Sequence, residues 1–363
     1  MDRPARRGDG VGRARFLIRR RLLAWFAREK RALPWRGTRD PYRIWVSEVM
    51  LQQTTVAAVR GRYEPFLQRF PNVASLARAR QEQVLAAWSG LGYYARARNL
   101  RRAAGIIVRE HAGRVPRTPG ELERLPGVGP YMAAAVASLA YGARVPAAEA
   151  NVTRVLSRLY AFRGVAGSRA HDERVLAAAK ELLPRRRPGD MTAALMDLGQ
   201  TICTPRRPAC LRCPLSSECL ARRAGIPERY PKRRKKPRLV HVVVAAVVPR
   251  RDGRALLVRR QGRLLSGMWD FSSAEGATLE KARRALCATV KPFGLRLSAR
   301  PVGHARHTIV NRRLAITVFS AHPESPTANH QSPTPSRWFR PGELQRAAIP
   351  TLTRKIAKAA GFL

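Results

Sequence analysis

Four cysteines crowded between positions 203 and 219 most limit what this chain can fold into. Cys203, Cys210, Cys213 and Cys219 follow the spacing C-x6-C-x2-C-x5-C. Four thiolates in so short a segment suit a tetrahedral zinc ion or a four-iron cluster. Zinc sites usually combine paired C-x2-4-C elements from two separate places, whereas here one C-x2-C pair has wider gaps on both sides. The spacing therefore favours an iron–sulfur site in a reducing compartment. Cys287 lies apart and is expected to be an ordinary buried residue.

The charge of the chain indicates its partner. Its 363 residues include 70 Lys and Arg against 24 Asp and Glu, a formal net charge of +46. With 45% hydrophobic residues the chain can build a core. Such an excess charge opposes a compact state unless a polyanion lies against it, so nucleic acid is the leading partner and a membrane surface the weaker alternative. No apolar run approaches the roughly 18 residues that span a bilayer, and no secretory signal is recognisable.

Composition divides the chain into three parts. Residues 1–228 have apolar residues at helical spacing and are predicted to be mostly helical. In the segment 229–238 seven of ten residues are Lys or Arg, which predicts a basic linker. Residues 239–363 are predicted to form an α+β domain. We expect strands at 239–248, 255–258 and 314–319, a turn at Arg251-Asp252-Gly253 and a loop over 321–336.

A glycine-rich segment interrupts the helical part. Leu125-Pro126-Gly127-Val128-Gly129 lies between a helix that should end near Leu125 and an alanine-rich helix from Pro130 to about Tyr141. Pro130 suits a first helical position, and the two glycines permit a tight turn that exposes backbone N–H groups to a phosphate. Alone, the pattern fits any pair of antiparallel helices. With the net charge it favours a helix-hairpin-helix DNA contact.

Two carboxylates are isolated in the helical part. Glu48 is the only acidic residue between Pro41 and Tyr63, and Glu149 is the only one between Arg124 and Ala170. Either one alone is more often a structural cap or an exposed charge. If both faced one cleft, one could protonate a leaving group while the other stabilised an oxocarbenium-like sugar. The spacing does not establish that they meet.

Several segments together match the pattern of one family. They are Leu33-Pro34-Trp35-Arg36, Ser47 to Thr54, Gly90 to Asn99, the Gly127/Gly129 hairpin and the four-cysteine loop. Through them, residues from about 33 to 222 resemble the MutY-type adenine DNA glycosylases of the endonuclease III superfamily. The resemblance implies a mostly α-helical helix-hairpin-helix glycosylase fold, with a six-helix barrel over about 36–142 and an iron–sulfur lobe built from the first helix and 143–222. It implies excision of adenine opposite 8-oxoguanine or guanine, and one [4Fe-4S] cluster on the four cysteines.

The resemblance also implies roles for single residues. Glu48 occupies the position of the general acid. Glu149 replaces the usual Asp in a segment that reads Glu149-Ala150-Asn151 here and Asp-Gly-Asn in the family, and Asn151 is included in the catalytic set. Tyr131 stands where bifunctional relatives carry a Schiff-base lysine, so the enzyme should be monofunctional, with water as the nucleophile. The implied DNA-binding residues are Arg36 at the adenine, Gln52, Gln53 and Tyr93 in the base stack, and Leu125, Gly127, Val128 and Gly129 in the hairpin.

The C-terminal part resembles the Nudix-like domain of the same family through Gly267 to Phe271. It lacks an acidic Nudix box, because the segment 279–290 offers only Glu280, so nucleotide hydrolysis is not expected. In relatives a Phe-Ser-His loop contacts 8-oxoguanine, whereas this chain continues after His307 with Thr308, Ile309, Val310 and Asn311. These four residues are the candidates for lesion recognition.

Three functions remain open at this stage. The first is an adenine mismatch glycosylase. The second is a helix-hairpin-helix glycosylase of altered base preference, since Ala150 and the changed loop depart from the family pattern. The third is a non-catalytic mismatch-binding paralogue, if Glu149 misplaces its charge. We expect a monomer that acts on double-stranded DNA in the cytoplasm, associated with the nucleoid.

Overall fold

The computed structural model describes residues 7–232, 234, 238–261, 265–323 and 334–363. Two compact units divide the chain, the first from 1–78 and 102–235 and the second from 79–101 and 236–363. The helices before the basic linker are α1 (Arg7–Glu29), α2 (Pro41–Leu51), α3 (Val56–Arg69), α4 (Val73–Arg78), α5 (Gln81–Ala87), α6 (Ala95–Glu110), α7 (Pro119–Glu123), α8 (Pro130–Tyr141), α9 (Ala150–Leu159), α10 (Arg169–Leu182), α11 (Pro188–Thr201) and α12 (Leu220–Arg223).

A hydrophobic core in the first unit joins the N-terminal helix α1 to α8, α9, α10 and α11. Leu22, Leu156 and Leu182 are completely buried there, and α9 is buried along one face at 152, 155, 156 and 159. Phe16 of α1 lies outside this core and is 58% exposed. Ile18 is buried, and a residue two places earlier points to the opposite side of a helix. The prediction of a mostly helical N-terminal part is confirmed.

Mixed β-structure with helices forms the C-terminal part, as predicted. The elements are β1 (Val240–Arg251), β2 (Arg254–Arg259), β3 (Trp269–Asp270), β4 (Ser273–Gly276), α13 (Leu279–Val290), β5 (Leu295–Ile309), β6 (Arg312–Pro323), β7 (Ser336–Phe339), α14 (Pro341–Arg346) and α15 (Thr351–Ala359). The strands lie in the order β3-β2-β1-β6-β5, with β4 against β1 and β7 against β2. Strands β1 and β6 are parallel, and the other described pairings are antiparallel.

Alternation along β1 explains why this strand is buried on both faces. Val244, Ala246 and Val248 pack in one core together with residues of α15. Ala245 and Val247 point the other way and pack with residues of α13. Because successive strand residues face opposite sides, an uninterrupted apolar run is what a strand covered on both faces requires.

Three local expectations have different outcomes. The β1–β2 hairpin turns at Asp252 and Gly253, both with positive φ, as the Asp-Gly pair predicts. The loop predicted from residue 321 is wrong at its start, because β6 continues to Pro323, and residues 324–333 lie outside the described part. Cys287, predicted to be buried, is exposed because α13 turns Ala282, Leu286 and Val290 inward instead.

The predicted linker 229–238 is described only in part, since residues 233 and 235–237 lie outside the described residues. Within it, the Lys232 amide donates to the Gly164 carbonyl at 3.1 Å. The proposed domain boundaries therefore stay predictions. No described helix combines the length and apolarity needed to cross a bilayer.

Candidate active site and four-cysteine loop

Glu48 is a buried carboxylate in the middle of α2. The helix begins at Pro41, where the Asp40 side chain accepts hydrogen bonds from the backbone amides of Tyr42 at 2.8 Å and Arg43 at 3.3 Å. This capped start places Glu48 on a buried face of the helix, where it is only 6% exposed. A carboxylate so far from water needs polar partners or a proton.

Tyr131, the second residue of α8, is the hydrogen-bond partner of Glu48. Its hydroxyl donates to Oε2 of Glu48 at 3.1 Å. Burial raises the pKa of Glu48, the Arg36 charge and the Tyr131 hydrogen bond act in the opposite direction, and Glu149 raises it further. Burial and the charges of Glu48 and Glu149 likewise raise the pKa of Tyr131 well above its ordinary value. The structure therefore brings Glu48, Tyr131, Glu149 and Arg36 into one electrostatic neighbourhood.

Glu149 is the N-cap residue of α9, but its side chain makes no capping hydrogen bond. Its Oε1 atom is buried and has no hydrogen-bond partner among the described residues. An uncompensated buried carboxylate oxygen is costly, and such exceptions call for a functional explanation. The Glu149 charge raises the pKa of both Glu48 and Tyr131, so Glu149 lies near both of them.

Asn151 is held by a buried arginine that sequence reasoning missed. Nη2 of Arg154 donates to Oδ1 of Asn151 at 2.7 Å and to the Gly199 carbonyl at 2.6 Å, and its Nε donates to the Cys203 carbonyl at 2.7 Å. A Cβ added to Gly199 would lie 2.8 Å from the Asn151 Cβ, so only glycine allows α11 to approach α9 this closely. Arg154 thus connects the active-site segment with the first cysteine of the loop.

Asp197 is a second residue that sequence reasoning missed. This completely buried carboxylate in α11 accepts hydrogen bonds on Oδ1 from Arg31 and Arg36, both at 2.8 Å. Its Oδ2 is buried and has no partner among the described residues. The sequence signal was a single acid in the apolar run Ala-Leu-Met-Asp-Leu-Gly, comparable to the isolation of Glu48. Asp197 fixes the orientation of Arg36.

The four cysteines lie in the segment that follows α11, and each is half-buried. Burial and neighbouring sulfur atoms raise the pKa of the Cys213 thiol to about 12. Among the described residues, no three His, Cys, Asp or Glu side chains are arranged to hold a metal ion. Buried Arg158 also enters this loop, where its guanidinium donates to the Cys203 sulfur at 3.3 Å and to the Thr204 carbonyl at 2.7 Å.

The glycine hairpin has the predicted geometry. Helix α7 ends at Glu123, two residues before the expected end, and α8 begins at Pro130 with Gly129 as its N-cap. Gly127 has φ +80°, a conformation that a residue with a side chain rarely adopts. Gly127 and Gly129 are exposed, whereas Leu125 and Val128 are buried and anchor the turn.

Gln52 and Gln53 follow directly after α2. Gln53 is exposed and adopts φ +53°, and the chain turns so that the Thr54 amide donates to the Leu51 carbonyl at 3.3 Å. The turn therefore lies at the end of the helix that contains Glu48.

The remaining candidates lie in the second unit. Tyr93 is 53% exposed and adopts φ +46°. Thr308 and Ile309 end β5, and Val310, 80% exposed with φ +55°, forms the tip of the β5–β6 hairpin. The Asn311 side chain donates to the Arg238 carbonyl at 3.2 Å.

Comparison with known proteins agrees with this fold. Residues 46–188 match the HhH-GPD superfamily of base excision DNA repair proteins, and residues 244–359 match the NUDIX domain. Over 92% of its length the chain is 34% identical to a human adenine DNA glycosylase, of which it covers 72%. The chain belongs to the adenine DNA glycosylase family.

Other relatives of this glycosylase extend the comparison. It is 44% identical to an adenine DNA glycosylase of Mycobacterium tuberculosis strain H37Rv over 57% of its own length and 68% of the relative. A solved thermostable thymine-DNA glycosylase matches 59% of the chain with a TM-score of 0.54 and 28% identity, and 99% of that structure is covered. DNA glycosylases hydrolyse the bond between a base and its deoxyribose, which assigns the chain to base excision repair.

Proposed function

We propose that the enzyme removes adenine from DNA where it is mispaired with 8-oxoguanine or guanine, and that it does so by hydrolysis alone. The observation that carries this proposal is that Glu149 lies near buried Glu48, which is bonded to Tyr131, and that Oε1 of Glu149 is buried without a partner among the described residues. Glycosidic cleavage requires one group that supplies a proton and one anion beside the sugar.

Glu48 is the general acid in this proposal. Because burial raises its pKa, the carboxyl group retains its proton at a pH where an exposed glutamate has lost it. It protonates N7 of the adenine, the bond between C1′ and N9 breaks, and the bonding electrons leave with the base. Glu48, now a carboxylate, then takes a proton from the water that adds to C1′. The products are free adenine and an abasic site.

Glu149 stabilises the positive charge that develops on the deoxyribose. A preorganised anion lowers the barrier because its orientation requires no rearrangement during the reaction. Its Oε1 atom suits this task, since no donor in the described part of the chain forms a hydrogen bond to it. Tyr131 supplies no amine for a Schiff base, so we expect no covalent trapping by borohydride.

Arg36 lines the adenine pocket in this proposal, and Asp197 holds it there. Arg36 lies close enough to Glu48 for its charge to lower the pKa of that carboxyl group, and Oδ1 of Asp197 orients its guanidinium. The guanidinium can donate to a ring nitrogen of adenine, which accepts hydrogen bonds. This complementarity supports adenine as the excised base.

The Tyr131→Phe variant should move the pH profile of excision. Glu48 acts when protonated, so the single-turnover rate falls as pH rises through its pKa. The Tyr131 hydrogen bond lowers that pKa, and its removal should therefore move the fall in excision rate to higher pH. Tyr141→Phe is the matched control, because the Tyr141 hydroxyl in the same helix donates to the Val115 carbonyl instead. If the rate of Tyr131→Phe fell at the same pH as that of wild type, or at a lower pH, the assignment of Glu48 as the general acid bonded to Tyr131 would be contradicted.

DNA contacts are proposed on both units. The hairpin lies just before the N-terminus of α8, where backbone amides bind phosphate. Its exposed residues Gly127 and Gly129 are proposed to contact the DNA backbone, and buried Val128 holds the turn between them. Gln52, Gln53 and Tyr93 are proposed to enter the base stack, which must be supported when a base is flipped out. We propose that Thr308, Ile309, Val310 and Asn311 read the base opposite the adenine.

The same proposal includes one [4Fe-4S] cluster on Cys203, Cys210, Cys213 and Cys219. Support comes from the donor set, since the sulfur atoms of Cys203, Cys210 and Cys219 all act on the Cys213 thiol, and from Arg158, which donates a hydrogen bond to the Cys203 sulfur of the kind that tunes cluster thiolates. When bound, the cluster holds the loop in a fixed shape. Purified protein should contain about four irons per chain and absorb visible light, whereas stoichiometric zinc in colourless protein would contradict the assignment of an iron–sulfur cluster to these cysteines.

A panel of duplexes tests the proposed function. Single-turnover excision should be fastest from A:8-oxoG, slower from A:G, and absent from T:G and oxidised-pyrimidine duplexes. Cleavage of T:G would indicate a glycosylase of altered base preference. Tight mismatch binding with no excision from any duplex would indicate a non-catalytic paralogue.

A further inference from the structure

The loop that carries Tyr93 is held in an unusual conformation. Between α5 and α6 the chain passes through Gly90 with φ +95°, Gly92 with φ +68° and Tyr93 with φ +46°. Glycine accepts positive φ readily, but tyrosine does not. Tyr93 nevertheless keeps this backbone while more than half of its side chain faces solvent. Some other interaction must hold it there.

Arg96 provides that interaction. Its guanidinium carbon lies 5.5 Å from the centre of the Tyr93 ring and 5.4 Å from the centre of the Trp88 ring, and Trp88 is completely buried. Nη2 donates to the carbonyls of Leu91 at 3.0 Å and Gly92 at 3.2 Å. One planar cation thus contacts both rings and fixes the backbone between them. Arginine suits this role because its flat, forked guanidinium stacks and donates at once, which a lysine ammonium cannot do.

Hydrogen bonds to the C-terminal part of the same unit anchor both ends of the loop. The Tyr94 hydroxyl donates to the Ile349 carbonyl at 3.2 Å, and Arg354 donates to the Ser89 hydroxyl at 3.1 Å. Arg98 also donates to the Ser266 carbonyl at 3.4 Å. These contacts fix residues 89, 94 and 98, so the exposed ring of Tyr93 projects from a segment with both ends restrained.

We propose that Arg96 is a positioning residue that presents the Tyr93 ring for stacking on a DNA base. The inference rests on the proposed function, in which Tyr93 enters the base stack. A ring that is already oriented loses less conformational freedom on binding than a mobile one, and stacking on nucleobases benefits from such preorganisation. Arg96 acts through Tyr93 and makes no contact with the reacting atoms in this scheme.

A double-mutant cycle tests the proposal. Mispair affinity is measured with an A:8-oxoG duplex whose adenosine carries a 2′-fluorine that blocks cleavage. Arg96→Lys should weaken binding about tenfold, within the range of base stacking. In the Tyr93→Ala background the same change should cost less than about twofold, because the ring that Arg96 positions is already absent. Arg102→Lys, an equally charge-conserving change at an exposed site of α6, is the control and should bind like wild type.

Hydrogen exchange of the free protein gives a readout that needs neither DNA nor activity. Amides of residues 91–94 should exchange faster in Arg96→Lys than in wild type or Arg102→Lys. The role of Arg96 would be overturned if Arg96→Lys weakened binding equally with Tyr93 present and with Tyr93→Ala. It would also be overturned if Arg96→Lys left the exchange of residues 91–94 unchanged, or if Tyr93→Ala bound the mispair like wild type. If wild type excised no adenine but the exchange difference and the coupling appeared, the proposed reaction would fail while the role of Arg96 would stand.

Discussion

Replacing Glu149 with glutamine should slow single-turnover excision of adenine by at least about a hundredfold, or roughly 2.7 kcal/mol of transition-state stabilisation. The amide retains the shape of the side chain but removes the anion beside the sugar. Because Oε1 of Glu149 has no hydrogen-bond partner among the described residues, the substitution should not lower the unfolding temperature. A loss of rate without a loss of stability separates a role in the reaction from a role in the fold.

The length of the side chain gives a second comparison for Glu149. Glu149→Asp keeps the charge but shortens its reach, so its rate should lie between those of wild type and Glu149→Gln. Here the longer side chain is followed by Ala150 rather than by glycine, and the two changes are expected to compensate each other. A wild-type rate in Glu149→Gln would mean that another group supplies the anion.

Replacing Glu48 with glutamine should reduce excision by about a thousandfold, within the range that general acid catalysis contributes. It should also stabilise the protein at neutral and alkaline pH. Since burial raises the pKa of Glu48 in the folded state, folding is favoured while the carboxyl group holds its proton and penalised as pH rises through that pKa. The amide carries no charge at any pH and avoids this penalty.

Unfolding experiments at two pH values measure this second effect. Below the ordinary pKa of glutamate, Glu48→Gln and wild type should have similar unfolding temperatures, and above the raised pKa the variant should be more stable by about 1 to 3 kcal/mol. Glu123→Gln in α7, an exposed position, is the control and should show no such pH dependence. A variant that is less stable than wild type at high pH would show that the Glu48 carboxylate is paired and favourable in the folded state.

Several features could be predicted from local sequence because short-range chemistry controls them. The turn at Asp252 and Gly253 needs residues that accept positive φ, and the start of α8 needs a proline that requires no N–H partner. The isolation of Glu48 and Glu149 among apolar neighbours marked them as candidates before any fold was known. Their convergence was implied only by family resemblance.

Other features depend on which helix faces pack, and no local pattern gives that. Phe16 and Cys287 are each close in sequence to buried residues but lie on outward faces. Arg154 and Arg158 look like ordinary charges of a basic protein, yet they are buried because backbone carbonyls from distant segments surround their guanidinium groups. With 70 Lys and Arg in the chain, composition cannot distinguish a buried, bonded arginine from one that faces DNA.

The sequence by itself determined the family, the mostly helical and α+β parts, the cysteine ligands available for a cluster, and the absence of a Schiff-base lysine at Tyr131. These depend on residue identity and short-range spacing. Only the tertiary structure decided that Tyr131 bonds to Glu48, that Asp197 holds Arg36, and that Arg96 supports Tyr93. The first two contacts join segments far apart in the chain, and the third depends on a backbone turn through positive φ. Burial and hydrogen bonding that arise only on folding therefore create this chemistry.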